Sequence, residues 1–298
     1  MKRQYIFLSV LFLLALNIFC WREVFALSEE KMLEVDFLDV GQGDSIFIKT
    51  PEGHQIIIDG GPNSILLQKL AERMPFWDKT IDLVILTHPE KDHMTGLLDV
   101  LQNYKVDYFL WTGVIKNSAE NKKLAALLEE AQKPKRNFLA SLDGKSKSTK
   151  ILIAKAGEKI MAGEVLIDIL FPHENLNNQE PKNTNDTSVV SQLIFGNNEF
   201  LFTGDISSSA EKKLVNGGAD LSASVLKVAH HGSKYSTSDI FLETVKPGIA
   251  VISVGKNSYG HPTQETLKRL EEFGIKILRT DTNGDVNMVS DGKNIILK

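Results

Sequence analysis

Cysteine is nearly absent: one residue in 298, Cys20, alongside only seven histidines. A lone thiol excludes an intrachain disulfide, a thiolate metal cluster and any framework that depends on an oxidising compartment. A mature chain starting near Leu27 has no cysteine at all, which also excludes a cysteine nucleophile. A surplus of one charge is missing too, since 34 Lys and Arg face 38 Asp and Glu for a net charge of -4. That balance argues against a broad electrostatic nucleic-acid binder. It leaves room for a nuclease whose bound divalent ions reverse the field locally. Pro/Ser-rich linkers and residue-level repeats are also lacking, which favours one layered domain over two tethered ones. An apolar fraction of 42% over this length supplies a sizeable core.

The N-terminus stands apart. Lys2 and Arg3 precede an apolar run from Tyr5 to Phe19, and Val24-Phe25-Ala26 offers small residues where a signal peptidase reads. This order predicts residues 1–26 to be a secretory signal cleaved after Ala26 or an uncleaved membrane anchor. The run at 5–19 is shorter than the roughly 20 residues of a spanning helix. Lipidation of Cys20 is disfavoured by the bulk of Phe19. Residues 31–298 form the remaining domain, and the chain is expected outside the cytoplasmic membrane, secreted or held on its outer face.

Strands and helices mix through both halves. Leu33, Val35 and Phe37 alternate with polar neighbours as a half-buried strand does. Glycine turns at Gly41–Gly43 and Gly53 continue a meander through strands at 45–49 and 55–59. A helix is predicted at Ser64–Arg73, a strand at Ile81–Leu86, and helices at Met94–Leu101 and Ala119–Gln132. The polar stretch 141–150 reads as a surface loop. Later strands are predicted at 151–154, 165–171, 188–195 and 199–203, the last two joined by a Gly196-Asn197-Asn198 hairpin. A helix after Asp205, a strand ending at Ala229, a helix at 238–245, a strand at 249–253, a helix at 263–273 and closing strand pieces complete the pattern.

Chemistry gathers just past the apolar strands, where open α/β sheets place their ligands. His88, Glu90, Asp92 and His93 crowd one short segment, mixing nitrogen and hard oxygen donors as a hydrolytic metal site requires. Asp205 follows a strand through a glycine turn, where it could bridge two metals or cap the next helix. His230 and His231 follow another strand, and His261 is held before Pro262. Asn185 and Ser188 bring amide and hydroxyl groups before a strand. His54 and His173 lie in turns outside this pattern and read as surface residues.

The segment His88-Pro89-Glu90-Lys91-Asp92-His93 resembles the H-x-H-x-D-H signature of the metallo-β-lactamase superfamily, and Thr203-Gly204-Asp205 resembles its bridging-aspartate turn. More narrowly, the chain is similar to the extracytoplasmic hydrolase domain of ComEC-type DNA-uptake proteins. The matching stretches are Phe37–Ser45, Ile58–Gly61, Leu226–Lys234, Val251–Gly255, Tyr259–Pro262 and Arg279–Asp281. The resemblance runs from Leu33 to the C-terminus. It implies an α/β (α+β) four-layer αββα sandwich with two divalent metal ions, Zn or Mn. Glu90 stands where the broader superfamily has its second histidine, and Asn185 where many relatives place another. Those oxygen donors favour a harder ion such as Mn²⁺. The membrane helices of ComEC-type proteins have no counterpart here.

By this resemblance the metal ligands are His88, Glu90, Asp92, His93, Asp205 and one of the His230-His231 pair, taken as His230. Asp92 orients the nucleophile, and His231 or His261 assists the leaving oxygen. Asn185, Ser188, Ser233 and Lys234 are candidate substrate contacts. The implied reaction is phosphodiester hydrolysis outside the membrane, with extracellular DNA among the candidate substrates and no stable nucleic-acid complex. The alternatives are a two-metal hydrolase of a small ester (a phosphocholine ester or a lactone) and an accessory module with a weakened metal site.

Overall fold

The structure is a computed structural model that describes residues 2–28, 32–133 and 148–298. Residues 141–147 of the expected polar loop lie outside the described residues. The chain divides into two compact units, Met1–Met32 and Leu33–Lys298. The first holds helix α1 (Lys2–Ser28), 27 residues long, which contains the apolar run. Among the described residues no helix is long and apolar enough to cross a membrane.

The second unit begins with a meander, β1 (Leu33–Phe37), β2 (Ile46–Lys49) and β3 (Gln55–Ile58), all antiparallel neighbours. Crossovers through α2 (Ile65–Arg73), α3 (Lys91–Asn103) and α4 (Ala119–Ala131) then add β4 (Thr80–Ile85), β5 (Lys105–Trp111) and β6 (Lys150–Ile153) in parallel. A second sheet starts antiparallel with β7 (Lys159–Ala162), β8 (Val165–Phe171), β9 (Val190–Phe195) and β10 (Asn198–Phe202). It continues parallel through β11 (Val225–Lys227), β12 (Ile249–Ile252) and β13 (Lys276–Arg279). Helices α5 (Ser208–Asn216), α6 (Asp239–Val245) and α7 (Gln264–Glu272) make those crossovers, and α8 (Thr280–Asn283) follows. Finally β14 (Val286–Ser290) returns to pair with β1 in the first sheet, and β15 (Ile295–Leu297) pairs with β14. Among the described residues the sheets have eight and seven strands, each part antiparallel and part parallel.

Strand periodicity assigns the layers, because alternate side chains face opposite sides of a sheet. Ile56 and Ile58 enter the central core with Phe200 and Phe202 from the other sheet. Ile57 instead packs outward beneath Leu66 of α2 and Leu97 of α3. Leu201 faces the opposite outer layer with Leu214 of α5 and Phe241 of α6. The result is the expected αββα sandwich, with apolar burial on both faces of both sheets driving it.

Parallel pairing puts the functional strand ends on one rim. Ile58 is level with Ile85, and Leu201 is level with Leu226, which is level with Ala250. The residues that follow each of these strands therefore emerge side by side. Close contact between Gly60 and Gly96 lets α3 start against this rim. A Cβ at Gly96 would lie 2.0 Å from the Gly60 carbonyl oxygen, a separation no side chain tolerates. In its place Gly60 N–H donates to the His93 carbonyl at 2.6 Å and Gly96 N–H to that of Gly61 at 3.1 Å.

Candidate metal centre

Helix α3 starts at Lys91, three residues earlier than the pattern suggested, so Asp92 and His93 sit on its first turn. An aspartate there complements the positive end of the helix dipole. His88 leaves the end of β4, Asp205 leaves β10 and the His230-His231 pair leaves β11. Gly204 makes the turn before Asp205 with φ +52°, and a Cβ there would press on the Ser188 side chain at 2.8 Å. Both His230 (φ 49°) and His231 (φ 52°) also lie in the left-handed region. Backbone strain of this kind in non-glycine residues collects at functional sites. It points the two imidazoles differently, with His231 buried and His230 about one third exposed.

Three buried imidazoles are anchored by the same atom. His88 Nδ1 donates to Thr87 Oγ1 at 3.0 Å, whose own hydroxyl donates to Asp59 Oδ2 at 2.7 Å. His93 Nδ1 donates to Asp59 Oδ2 at 2.8 Å. His231 Nδ1 donates to the Ser253 carbonyl at 2.8 Å. Anchoring Nδ1 as the donor leaves Nε2 with its lone pair, the tautomer a metal ligand requires. The Nε2 atoms of all three, together with Asp205 Oδ1, are buried without a hydrogen-bond partner. Buried polar atoms are nearly always satisfied, so four such orphans gathered about one point form a donor set suited to a cation. His88, His93 and Asp205 can offer donor atoms within 4.8 Å of one another. His231 Nε2 lies 3.5 Å from Asp205 Oδ2 and 3.4 Å from Asp92 Oδ2. These donors fit a divalent cation.

The electrostatics agree. Burial, aided by the nearby charge of His93, pushes the His88 imidazole down to about 3, leaving it neutral in ordinary buffers. Burial works against protonation of His93 as well, but the carboxylates of Asp205, Asp59 and Asp44 outweigh it and raise the ring well above its usual range. The same contest, with Asp205 foremost among the opposing carboxylates, lifts His231 to about 10. Burial opposes ionisation of Asp205, yet the charges of His231 and His93 hold it well below the usual carboxylate range. Against burial, the His231 hydrogen bond and the His93 charge do the same for Asp92. The field at this rim favours added positive charge, which a proton or a metal ion can supply.

Behind the rim lie further charged residues outside the sequence-predicted site. Asp44 is buried against the Nδ1 faces of His93 (3.8 Å) and His231 (3.3 Å). Those three residues could hold an ion by distance alone. The position is already filled, because Lys227 Nζ lies 2.6 Å from Asp44 Oδ2 and is itself only 1% exposed. Opposing the cost of burial, that ammonium keeps the Asp44 carboxyl below its usual range. Asp59, the shared partner of Thr87 and His93, is pushed up by its burial. Both carboxylates carried a sequence signal: a single acid at the edge of an otherwise apolar strand. Lys227 likewise interrupts the apolar run Val225–Ala229.

The remaining candidates divide. Glu90, Asp92, Asn185, Asp205, His230, His231 and His261 line one pocket of about 180 Å³, joined by Gln42 and Tyr259. Glu90 is committed elsewhere, since its carboxylate takes the Lys116 ammonium at 2.5 and 2.6 Å and the Thr184 hydroxyl. Asn185 Nδ2 lies 3.3 Å from His230 Nε2. His261, its imidazole lowered by burial and by the charges of His230 and His231, stacks edge-on at 5.4 Å from His230. Ser188 is fully buried, donating to the Asn185 carbonyl at 2.7 Å and accepting from Asp205 N–H at 3.1 Å. It shapes the Asp205 turn rather than meeting solvent. Ser233 is buried too, and Lys234 turns over the Tyr235 ring at 5.1 Å, outside the pocket lining. His173 is exposed as expected, and half-buried His54 pairs with Asp82 at 3.4 Å.

Comparison with known proteins agrees with this geometry. The chain is 31% identical over 272 residues to "ComE operon protein 3" of Bacillus subtilis, covering 85% of this chain and 32% of that protein. It is 29% identical over 261 residues to "Recombination protein 2" of Haemophilus influenzae, covering 86% and 28%. The chain thus spans about a third of the length of these curated relatives. Among solved structures, the metallo-β-lactamase fold protein YhfI of Bacillus subtilis aligns with a TM-score of 0.56 at 11% identity, over 87% of this chain and 100% of that one. The metallo hydrolase Igni18 of Ignicoccus hospitalis aligns with a TM-score of 0.51 at 14% identity, over 86% and 98%. The sequence matches the metallo-β-lactamase superfamily over residues 38–256. The chain belongs to that superfamily and has its fold.

Proposed function

We propose that this chain is an exported phosphodiesterase that works with two divalent metal ions. The observation that carries the metal reading is the set of three imidazoles fixed through Nδ1, with orphaned Nε2 atoms gathered about Asp205. His88, His93 and Asp205 would hold one ion; Asp92, His231 and the shared Asp205 would hold the other. This amends the sequence-based assignment of His230, whose ring is more exposed and faces Asn185. Glu90 becomes a pocket-wall residue tied to Lys116 and Thr184. When bound, such ions supply Lewis acidity toward a phosphoryl oxygen and a source of nucleophile at neutral pH.

The chain's own groups perform the remaining tasks. Asp92 lies at the pocket wall with its carboxylate ionised, placed to orient an attacking water. His230 and His261 sit further out, within reach of a leaving oxygen, and the lowered His261 ring is a base at neutral pH. The phosphodiester class is favoured by relatives named for competence and recombination, whose domains of this kind are part of longer proteins. The opening segment, residues 1–26, serves as export signal or anchor in this reading.

Metal analysis and a substrate panel test it together. Purified chain should retain close to two Mn²⁺ or Zn²⁺ ions and cleave bis-p-nitrophenyl phosphate and single-stranded DNA ahead of phosphocholine esters and lactones. Less than one ion per chain would sink the metal reading. Preference for a lactone or phosphocholine ester would sink the substrate reading and leave the metal centre standing.

A further inference from the structure

One large aromatic at the mouth of the metal pocket has no role in holding the site. Tyr259 lines the pocket yet is 72% exposed. A single exposed ring is ordinary in itself, and this one stands out because it lines the pocket. The loop carrying it is nonetheless fixed. Asn257 Oδ1 accepts from Tyr259 N–H at 3.0 Å and from His261 N–H at 3.1 Å, while its Nδ2 donates to the carbonyls of Gly255 (2.9 Å) and His261 (2.8 Å). One amide side chain therefore satisfies four backbone groups and sets the direction of the loop. From Tyr259 the rings lead inward: His261 is 6.0 Å away at an interplanar angle of 33°, and His230 is 5.4 Å beyond it. An exposed ring on a fixed loop thus stands at the outer end of this series, two ring contacts from His230.

We infer that Tyr259 is a stacking platform for an unpaired nucleobase attached to the phosphodiester bound in the pocket. The inference rests on the phosphodiesterase reading and names the part of the substrate beyond the phosphate. A cavity of about 180 Å³ takes a phosphate group and its nearest atoms, so the flanking sugar and base must lie at the mouth. Bases inside a duplex are stacked on both faces and cannot lie on Tyr259, which selects single strands, ends and short products. With a net charge of -4 the chain has no overall surplus of positive charge to draw in the polymer, which gives base stacking a larger share of recognition. Stacking is also indifferent to which base is presented, giving a site selective for strandedness and not for sequence.

Equilibrium binding to the full chain tests this in chelator, where no turnover occurs. The probes are a short fluorescein-labelled oligothymidylate and an abasic deoxyribose-phosphate oligomer of the same length, read by fluorescence anisotropy. The native chain should prefer the base-bearing probe by about fivefold or more. Y259F should keep that preference and Y259A should lose it, with far-UV circular dichroism unchanged in both. Raising salt should weaken both probes together and leave their ratio intact. The inference is overturned if Y259A retains the preference or if the native chain has none. The same probes with Mn²⁺ or Zn²⁺ separate the two readings. Discrimination in binding with no cleavage of either probe sinks the phosphodiesterase and leaves the platform. Cleavage of both without base preference sinks the platform alone.

Discussion

Replacing Lys227 by methionine tests whether a fixed internal cation underlies the site. Its ammonium sits 2.6 Å from Asp44 and donates to the Val228 carbonyl at 2.9 Å, at a residue with 1% exposure. At that distance and an effective dielectric of 20 the attraction is roughly 6 kcal/mol before desolvation is counted. Burying both charges offsets most of this, so the intact pair contributes little net stability. Removing one member is different, because Asp44 keeps its charge and loses its closest cation, with only the His93 and His231 rings left beside it. Methionine matches the stem of lysine in length, so packing changes little. The expected loss is about 3–5 kcal/mol. Adding Asp44→Asn to Lys227→Met removes the stranded charge and should recover about 1–3 kcal/mol of that loss. Urea unfolding followed by far-UV circular dichroism, in chelator, gives all four corners of the cycle. A Lys227→Met loss under about 1 kcal/mol, or a double variant no more stable than the single, would refute the reasoning.

Three further outcomes follow from the same structure. Asp59→Asn removes the acceptor that orients His93, and should weaken Zn²⁺ binding about 10- to 100-fold, measured by competition with a chromogenic chelator. Gly96→Ala places a Cβ 2.0 Å from the Gly60 carbonyl oxygen and should destabilise by about 1–3 kcal/mol, read as a lower Tm; an unchanged Tm contradicts the close approach. Despite partial burial, Asp285 is held below the ordinary aspartate value of 3.8 by Lys69, the Asp39 N–H and Arg73. Its contribution is therefore present above pH 3.8 and lost as pH falls through the lower folded value. The stability gap between native chain and Asp285→Asn should be full at neutral pH and close in acid; a gap that persists unchanged would count against that linkage.

Much of the rim was legible because its elements are local. Apolar alternation marked the strands, and a strand followed by Gly or His marked where chemistry would emerge. What the sequence could not convey was pairing across the sandwich. Asp44 and Lys227 meet because β2 and β11 belong to sheets packed face to face, and no local period links them. A lysine inside a strand reads as surface, since lysine is rarely buried unless paired. The division of labour between His230 and His231 was equally hidden. Two consecutive left-handed residues rotate adjacent side chains into different surroundings, and a pattern of residue types carries no φ. Glu90 sat at the expected place in sequence, yet Lys116 and Thr184 reach it from separate segments and claim its oxygens.

The two-sheet architecture carries a consequence for how the protein endures its surroundings. His88, Asp92 and His93 belong to the first sheet's rim, whereas Asp205 and His231 belong to the second. Neither half owns the whole of the proposed ligand set, so an ion bound at this seam would be a removable cross-link between them. Binding of that kind stabilises the folded chain in proportion to the logarithm of free metal concentration. A protein built this way would have its durability coupled to its readiness for chemistry. Where the ion is scarce, the chain loses activity and its clasp together.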